Sequence, residues 1–127
     1  MVRKLLQKRI NEIMEKFKDK KILAEFSSAN FFGQESKGSK QIRGNGVLVL
    51  TNKEFFFEMW HPKTILQIPI SSIQRVETPK KHLGKTKFRS LLKVIFENDK
   101  RETDSAAWLI NHLQQWKESI ENLIDKE

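Results

Sequence analysis

A basic run at residues 80–89 is the part of this sequence whose residue types and spacing could bind an anion. The run reads KKHLGKTKFR and contains no carboxylate. Its basic side chains belong to Lys80, Lys81, Lys85, Lys87 and Arg89. If the chain after Gly84 is extended, alternate residues share a face, and Lys85, Lys87 and Arg89 project together. The run is therefore predicted to attract an anionic group, and the alternative is a solvated loop without a ligand.

A second basic group lies in the segment GQESKGSKQIRGNG at residues 33–46, which is rich in Gly, Ser and Lys and is predicted to be a loop. Lys37, Lys40 and Arg43 follow one another in it at three-residue spacing. Each basic side chain near an anionic membrane contributes about 1 kcal/mol of attraction. The two groups together predict salt-sensitive binding to an anionic lipid surface or a phosphoinositide, provided that the folded chain brings them together.

The overall charge favours an anionic partner without choosing among anions. The 127 residues carry a net charge of +8, and residues 78–93 hold six lysine or arginine side chains and no acid. Such a balance attracts acidic lipid surfaces, acidic proteins or nucleic acid. Nucleic acid is the least favoured of these, because the chain has no tyrosine and no RNA-binding or helix-turn-helix motif.

No arrangement of side chains is typical of an active site. His61, His82 and His112 lie far apart without a second ligand at metal-binding spacing, and all three are expected at the surface. The chain has no cysteine, no phosphate-binding glycine loop and no nucleophile elbow. One group of carboxylates surrounds a predicted turn and is expected to be solvated: Glu97, Asp99, Glu102 and Asp104. We therefore expect a protein that is not an enzyme and uses no metal or cofactor.

The sequence shows no targeting or membrane-spanning segment. No apolar run approaches the roughly 18 residues that a spanning helix needs. Charges interrupt residues 1–17 every few positions, so the apolar core of a secretory signal is missing. We expect a cytoplasmic protein that can associate peripherally with the inner face of the membrane.

Hydrophobic periodicity predicts an amphipathic helix at each end of the chain. The N-terminal stripe, within residues 1–20, consists of Leu6, Ile10, Ile13 and Phe17. The C-terminal stripe consists of Leu113, Trp116, Ile120, Leu123 and Ile124. Asn111 and Gln114 have the spacing of a capping box, which predicts that the second helix starts there.

Strands are predicted between the two helices. They cover residues 22–32, 47–51, 55–60, 65–68, 73–76, 88–96 and 101–110. Asn52-Lys53 between two apolar runs indicates a hairpin. The run 55–60 is apolar on both faces, with Phe55, Phe57 and Met59 opposite Phe56 and Trp60. One face is expected in the core, and the other requires cover by the N-terminal helix or by a second subunit.

The order of these motifs resembles the pleckstrin-homology-like superfold in its GRAM form. The motifs are Gly46-x-Leu48-x-Leu50-Thr51, Phe55-x-Phe57, Ile68-Pro69-Ile70, Ile73, Val76 and a closing helix that bears Trp116. The resemblance covers roughly residues 22–125. It implies an α+β, mainly β fold: a seven-stranded, bent antiparallel sandwich or partly open barrel that is capped by the C-terminal helix. The alternative is a single antiparallel sheet with both helices on one face.

The resemblance divides the chain into an N-terminal amphipathic helix at 1–20 and a pleckstrin-homology-like domain at 21–127. It implies a non-enzymatic binding module, an adaptor or a peripheral membrane domain. Many similar domains hold a phosphoinositide at the loop between the first two strands, but Lys40 and Arg43 are one position too far apart for that motif. The alternative is a protein-interaction domain that binds a partner, or a second copy, through its N-terminal helix.

Overall fold

Two helices flank nine strands in the computed structural model, which describes residues 2–38, 41, 43–86 and 89–125. The helices are α1, Val2–Glu15, and α2, Leu113–Asp125. The strands are β1 Ile22–Gln34, β2 Gly44–Thr51, β3 Glu54–Met59, β4 Thr64–Pro69, β5 Ile73–Glu77, β6 Lys81–His82, β7 Lys85–Thr86, β8 Leu92–Glu97 and β9 Thr103–Leu109. Short 3-10 turns at Glu35–Lys37 and Ile70–Ser72 follow β1 and β4.

Seven of these strands form one antiparallel sheet in the order β4-β3-β2-β1-β9-β8-β5, and β6 pairs with β7 in a separate hairpin. This confirms the predicted fold class, a mainly β chain with seven antiparallel strands and a helix at each end. The alternative with both helices on one face of the sheet is wrong, because α2 joins the inner core and α1 packs on the outer face.

The sheet curls because its two edge strands are neighbours in the chain. β4 ends at Pro69 and β5 begins at Ile73, although they lie at opposite edges. The link between these residues can span at most about 14 Å. The edges must therefore approach each other, and the sheet becomes a partly open barrel. α2 packs beside this opening, against β5, β8 and the Ile70–Ser72 turn.

Aromatic rings fill the centre of the curled sheet. The ring centroids of Phe31 and Phe55 lie 5.5 and 4.9 Å from that of Trp108, and all three side chains are buried. Trp116 of α2 meets Phe55 edge-on at 6.3 Å. One apolar cluster thus includes residues from every strand of the sheet and from α2, which explains why the helix stays against the barrel.

The N-terminal helix covers the outer face of β2 and β3. Ile13 and the following Phe17 are buried there against Val47, Val49 and Phe56. The prediction that residues 55–60 bury both faces of their strand is therefore confirmed. The outer face is covered by α1 rather than by a second subunit. Buried Glu58 holds the helix through two cations, with Arg9 Nη2 at 3.4 Å from one carboxylate oxygen and Lys16 Nζ at 3.7 Å from the other.

Two local predictions differ from the structure. α2 begins at Leu113, two residues beyond Asn111, after His112 adopts a left-handed conformation with φ 56°. The basic run is not a simple loop, because Lys81–His82 and Lys85–Thr86 pair as a short hairpin. Phe88, which was predicted to begin the next strand, lies outside the described residues.

Candidate functional site

Arg43 and Arg89, one from each predicted basic group, line the same cleft on the outer face of the sheet. The cleft lies where β1 exchanges its partner, since β1 pairs with β2 up to Phe31 and with β9 from Asn30 onward. Its volume is about 330 Å³. It is lined by Phe26, Ser28, Asn30, Arg43, Asn45, Arg89, Leu109, Ile110 and Asn111. The sheet pairing and the segment before β8 thus place on one cleft two arginines that are distant in sequence.

Arg43 is held in place on both sides of its guanidinium group. The group lies 4.2 Å above the centre of the buried Phe32 ring, and its Nε donates a hydrogen bond of 3.2 Å to Asn30 Oδ1. The next residue, Gly44, packs so closely on Met59 that an added Cβ would lie 2.8 Å from the sulfur atom. The path of the chain is therefore constrained immediately after Arg43.

The side-chain oxygens of the asparagines beside Arg43 are engaged in hydrogen bonds, so the groups that remain for a ligand are donors. Because an arginine Nε–H can only donate, Asn30 must present its oxygen to it and its amide nitrogen elsewhere. That nitrogen donates to Asn45 Oδ1 at 2.9 Å. The side-chain oxygens of both asparagines are thus engaged. Among the described residues, the terminal nitrogens of Arg43 and Asn45 Nδ2 have no hydrogen-bond partner and can donate to a ligand in the cleft.

A folded-back segment carries Arg89 to the same place. Leu91 is fully buried with Phe32 and Ala107 on the outer face of β1 and β9. The preceding hairpin is anchored by His82, whose Nε2 lies 2.9 Å from the carbonyl oxygen of Gly33. The prediction that this histidine lies at the surface is wrong, because only 4% of it is exposed.

The electrostatics of the cleft are one-sided. None of its described lining residues is acidic, and neither Arg43 nor Arg89 forms an ion pair within the part of the chain that the structure describes. The positive charges of Arg43 and Arg89, which both line the cleft, favour a bound anion. The arrangement can therefore hold an oxyanion through charge-assisted hydrogen bonds.

The other predicted site residues do not line this cleft. Lys37 borders a different cavity, between the β1–β2 loop and the β3–β4 turn. Lys81 is exposed in the β6–β7 hairpin, where it follows Lys80 and pairs with Thr86, whereas Lys85 pairs with His82. Lys40 and Lys87 lie outside the described residues. Lipid binding was predicted to depend on the two basic groups lying close together. The structure places one residue of each group, Arg43 and Arg89, on the same cleft. Asn30, Asn45 and Asn111 were not predicted as site residues, because isolated asparagines, two in strands and one before α2, carry no sequence signal for binding.

A buried carboxylate anchors the start of the β1–β2 loop. Asp104 Oδ2 accepts hydrogen bonds of 2.7 Å from Gln34 Nε2 and from Ser36 Oγ, and Oδ1 accepts one of 2.9 Å from the Ser36 amide. Burial by itself raises the pKa of Asp104, but the hydrogen bonds more than offset it, so the pKa lies below its ordinary value. The prediction of a solvated acidic turn is therefore wrong for Asp104, which is 1% exposed.

His82 titrates differently from an exposed histidine. Burial lowers its pKa below the ordinary value, and the hydrogen bond to the Gly33 carbonyl only partly opposes this effect. The neutral ring carries its proton on Nε2, because the partner is a carbonyl oxygen that can only accept. The hairpin that precedes Arg89 is thus fixed to β1 by a neutral side chain.

The chain matches no protein-family model, and no curated protein matches it. Among the described residues there is no group of three or more His, Asp or Glu side chains that could hold a metal ion. No helix within the described ranges has the length and apolar character needed to cross a membrane.

Proposed function

We propose that this chain is a non-enzymatic binding module, a pleckstrin-homology-like domain of the GRAM type, that associates with anionic membranes from the cytoplasmic side. The cleft between Arg43 and Arg89 is the site for the phosphate of a lipid headgroup. The observation that carries the proposal is that Arg43 and Arg89 both line a cleft whose described lining contains asparagine amides and no carboxylate.

The architecture supports the pleckstrin-homology-like part of the proposal. The resemblance implied seven antiparallel strands in a bent sheet and a C-terminal helix at its opening, and the strand order and the position of α2 agree with that expectation. The residues of the resembling motifs that point inward are core residues. They include Leu48, Leu50, Phe55, Phe57, Ile68, Ile70, Ile73, Val76 and Trp116.

The chemistry of the cleft supports a phosphate ligand. A planar guanidinium group matches two phosphate oxygens at once, which a lysine ammonium does not. Arg43 is already ordered by Phe32 and Asn30, so binding loses little side-chain entropy at this residue. The exposed lysines of the neighbouring hairpin, among them Lys81, add attraction to an anionic surface at longer range.

The alternative of a protein-interaction module that uses the N-terminal helix gains no support from the structure. Ile13 and Phe17, two residues of the predicted stripe, are 2% exposed and pack on the chain's own sheet. A partner helix could not reach them unless α1 first left the sheet. We therefore place binding at the arginine cleft rather than on α1.

Vesicle co-sedimentation tests the proposal. The full chain is mixed with neutral, phosphatidylserine-containing and phosphoinositide-containing vesicles at low and physiological salt. The variant Arg43→Gln/Arg89→Gln removes both cleft charges. Its matched control, Lys21→Gln/Lys53→Gln, removes the same charge from two exposed residues that border a separate pocket near the β2–β3 turn.

We expect binding to phosphoinositide vesicles to persist at physiological salt, to weaken about tenfold or more in the arginine variant, and to change about twofold or less in the control. Equal weakening in the two variants would show that net charge alone attracts the chain to the membrane. Equal binding to phosphatidylserine and phosphoinositide vesicles would contradict a preference for the inositol phosphomonoesters, because the phosphodiester is common to both lipids.

A further inference from the structure

A second cavity opens at the end of the barrel that α2 does not cover. α2 packs against the Ile70–Ser72 turn, which follows one end of β4. The cavity lies at the other end of β4, next to Thr64, and its volume is about 410 Å³. Pockets for small molecules in proteins span roughly 300–1,000 Å³. The barrel is therefore closed by a helix at one end and open to a ligand of modest size at the other.

The floor of this cavity is apolar. Phe31 and Met59 belong to the inner core, and Leu66 packs against that core. Ile65 stands at the edge and is 45% exposed, although most large apolar residues of this chain are buried. An apolar group that entered the cavity would continue the hydrophobic core outward and remove these side chains from water.

The polar groups at the rim are mostly engaged with one another. The Gln41 amide nitrogen donates to the carbonyl oxygens of Gln34 and Gly38, and its oxygen accepts from the Gln34 amide at 2.9 Å. Thr64 Oγ1 donates to the Pro62 carbonyl at 3.2 Å. These contacts satisfy both groups within the protein, so they offer little to a ligand.

Lys37 is the one charged side chain among the described residues that line the cavity. Its ammonium group forms no hydrogen bond or ion pair within the described ranges. Lys37 also borders a neighbouring cleft with Asp99 and Glu102, but neither carboxylate pairs with it. An apolar floor and one cation at the rim without an ion pair among the described residues suit a ligand with an apolar body and a single negative charge.

We infer that the open end of the barrel binds a small amphipathic acid, a monocarboxylate with a medium-length alkyl chain. The alkyl chain lies on Phe31, Met59 and Leu66, and the carboxylate is paired with Lys37. This site is separate from the arginine cleft, which lies on the outer face of the sheet. The two proposals can therefore fail independently.

Titration of the full chain with octanoate, followed by two-dimensional amide NMR, tests this inference. Octanol and octylammonium have the same alkyl chain with a neutral or a positive head. We expect saturable shifts at Gln34, Gln41 and Thr64 with octanoate, and affinity at least tenfold lower for octylammonium. A lack of saturable shifts, or equal affinity for the three compounds, would overturn the inference.

Two single variants locate the charge. Lys37→Gln is expected to weaken octanoate binding about fivefold to tenfold and to leave octanol binding unchanged. Lys63→Gln is the matched control, because Lys63 is an exposed lysine that lies next to Pro62 outside the cavity lining. The Arg43→Gln/Arg89→Gln variant should keep the full affinity for octanoate. An equal loss in Lys63→Gln or in the arginine variant would show attraction by overall charge and refute the site.

Discussion

Replacement of the buried Asp104 by asparagine should destabilise the fold more than replacement of an exposed carboxylate in the adjacent turn. Asp104 is 1% exposed, and its Oδ2 accepts hydrogen bonds from Gln34, Ser36 and, at 3.4 Å, Asn98. Its Oδ1 accepts from the backbone amides of Ser36 and Ser105. These donors belong to β1, the following turn, β9 and the β8–β9 turn, so one carboxylate joins four parts of the chain.

The expected magnitude follows from this geometry. An asparagine at position 104 can keep its oxygen on the two backbone amides, but its NH₂ group then faces the NH₂ groups of Gln34 and Asn98. The negative charge of residue 104 is lost, and the NH₂ groups of Gln34 and Asn98 face a third NH₂ group instead of an acceptor. Hydrogen bonds to charged groups contribute roughly 1.5–3 kcal/mol each in net stability, and partial rearrangement of the amides recovers some of the loss. We expect Asp104→Asn to lower the free energy of unfolding by about 2–3 kcal/mol at neutral pH.

The pH dependence of this loss provides an independent check. Since the folded-state pKa of Asp104 is lowered, its contribution to stability is fully present above the unfolded pKa of about 3.9 and is lost as the pH falls through the folded pKa. The difference between wild type and Asp104→Asn should therefore be constant from about pH 8 to pH 5 and should shrink below about pH 4.

Urea unfolding followed by tryptophan fluorescence measures this difference, because Trp108 is fully buried in the folded chain. Asp99→Asn is the control, since Asp99 is exposed in the adjacent turn and should change stability by about 0.5 kcal/mol or less. A loss in Asp104→Asn no larger than in the control would refute the reasoning. If the stability difference between wild type and Asp104→Asn stays the same below about pH 4, the charge of Asp104 is not the source of that difference.

Two further predictions concern the hairpin anchor and the β2–β3 contact. Acidification from about pH 7.5 to pH 5.5 should destabilise wild type more than His82→Gln. Burial lowers the pKa of His82 in the folded chain, so the unfolded chain binds the proton first as the pH falls below about 6.5. Equal shifts of the urea midpoint in the two proteins would contradict this prediction. Gly46→Ala should cost about 3 kcal/mol, because the added Cβ would lie 2.2 Å from the Glu58 carbonyl oxygen. Gly38→Ala, whose Cβ meets no atom of the described residues within 4 Å, should cost about 1–2 kcal/mol for its backbone conformation, φ 82° and ψ 177°. The reverse order of the urea midpoints would refute the packing argument.

The β1–β2 loop gives the two proposed sites a common support. Gln34 and Ser36 at its start are fixed by Asp104, Lys37 borders the open end of the barrel, and Arg43 at its end borders the outer cleft. The backbone beside Lys37 is fixed through Ser36 and that beside Arg43 by the start of β2, which limits the entropy lost on binding at these two residues. The separate variants of Lys37 and Arg43 are therefore expected to act on binding rather than on folding.

The sequence by itself determined the elements whose signals are local. Alternation of apolar residues marked the hairpin of β2 and β3, and the two-residue turn Asn52-Lys53 set its register closely enough to separate Phe55 and Phe57 from Phe56. Helical spacing marked both amphipathic helices. These signals suffice because a period of two or of 3.6 residues decides which side chains share a face, whatever the rest of the chain does.

Only the tertiary structure decided which polar groups are buried and which charges meet. Nothing near Asp104 in the sequence distinguishes it from Asp99, because its main partners, Gln34 and Ser36, reach it across the β1–β9 pairing. Arg43 and Arg89 line one cleft because β1 changes its pairing partner at Asn30 and Leu91, before β8, packs on Phe32. Burial and electrostatic contacts of this kind depend on residues distant in sequence, so local pattern carries no information about them until the sheet has formed.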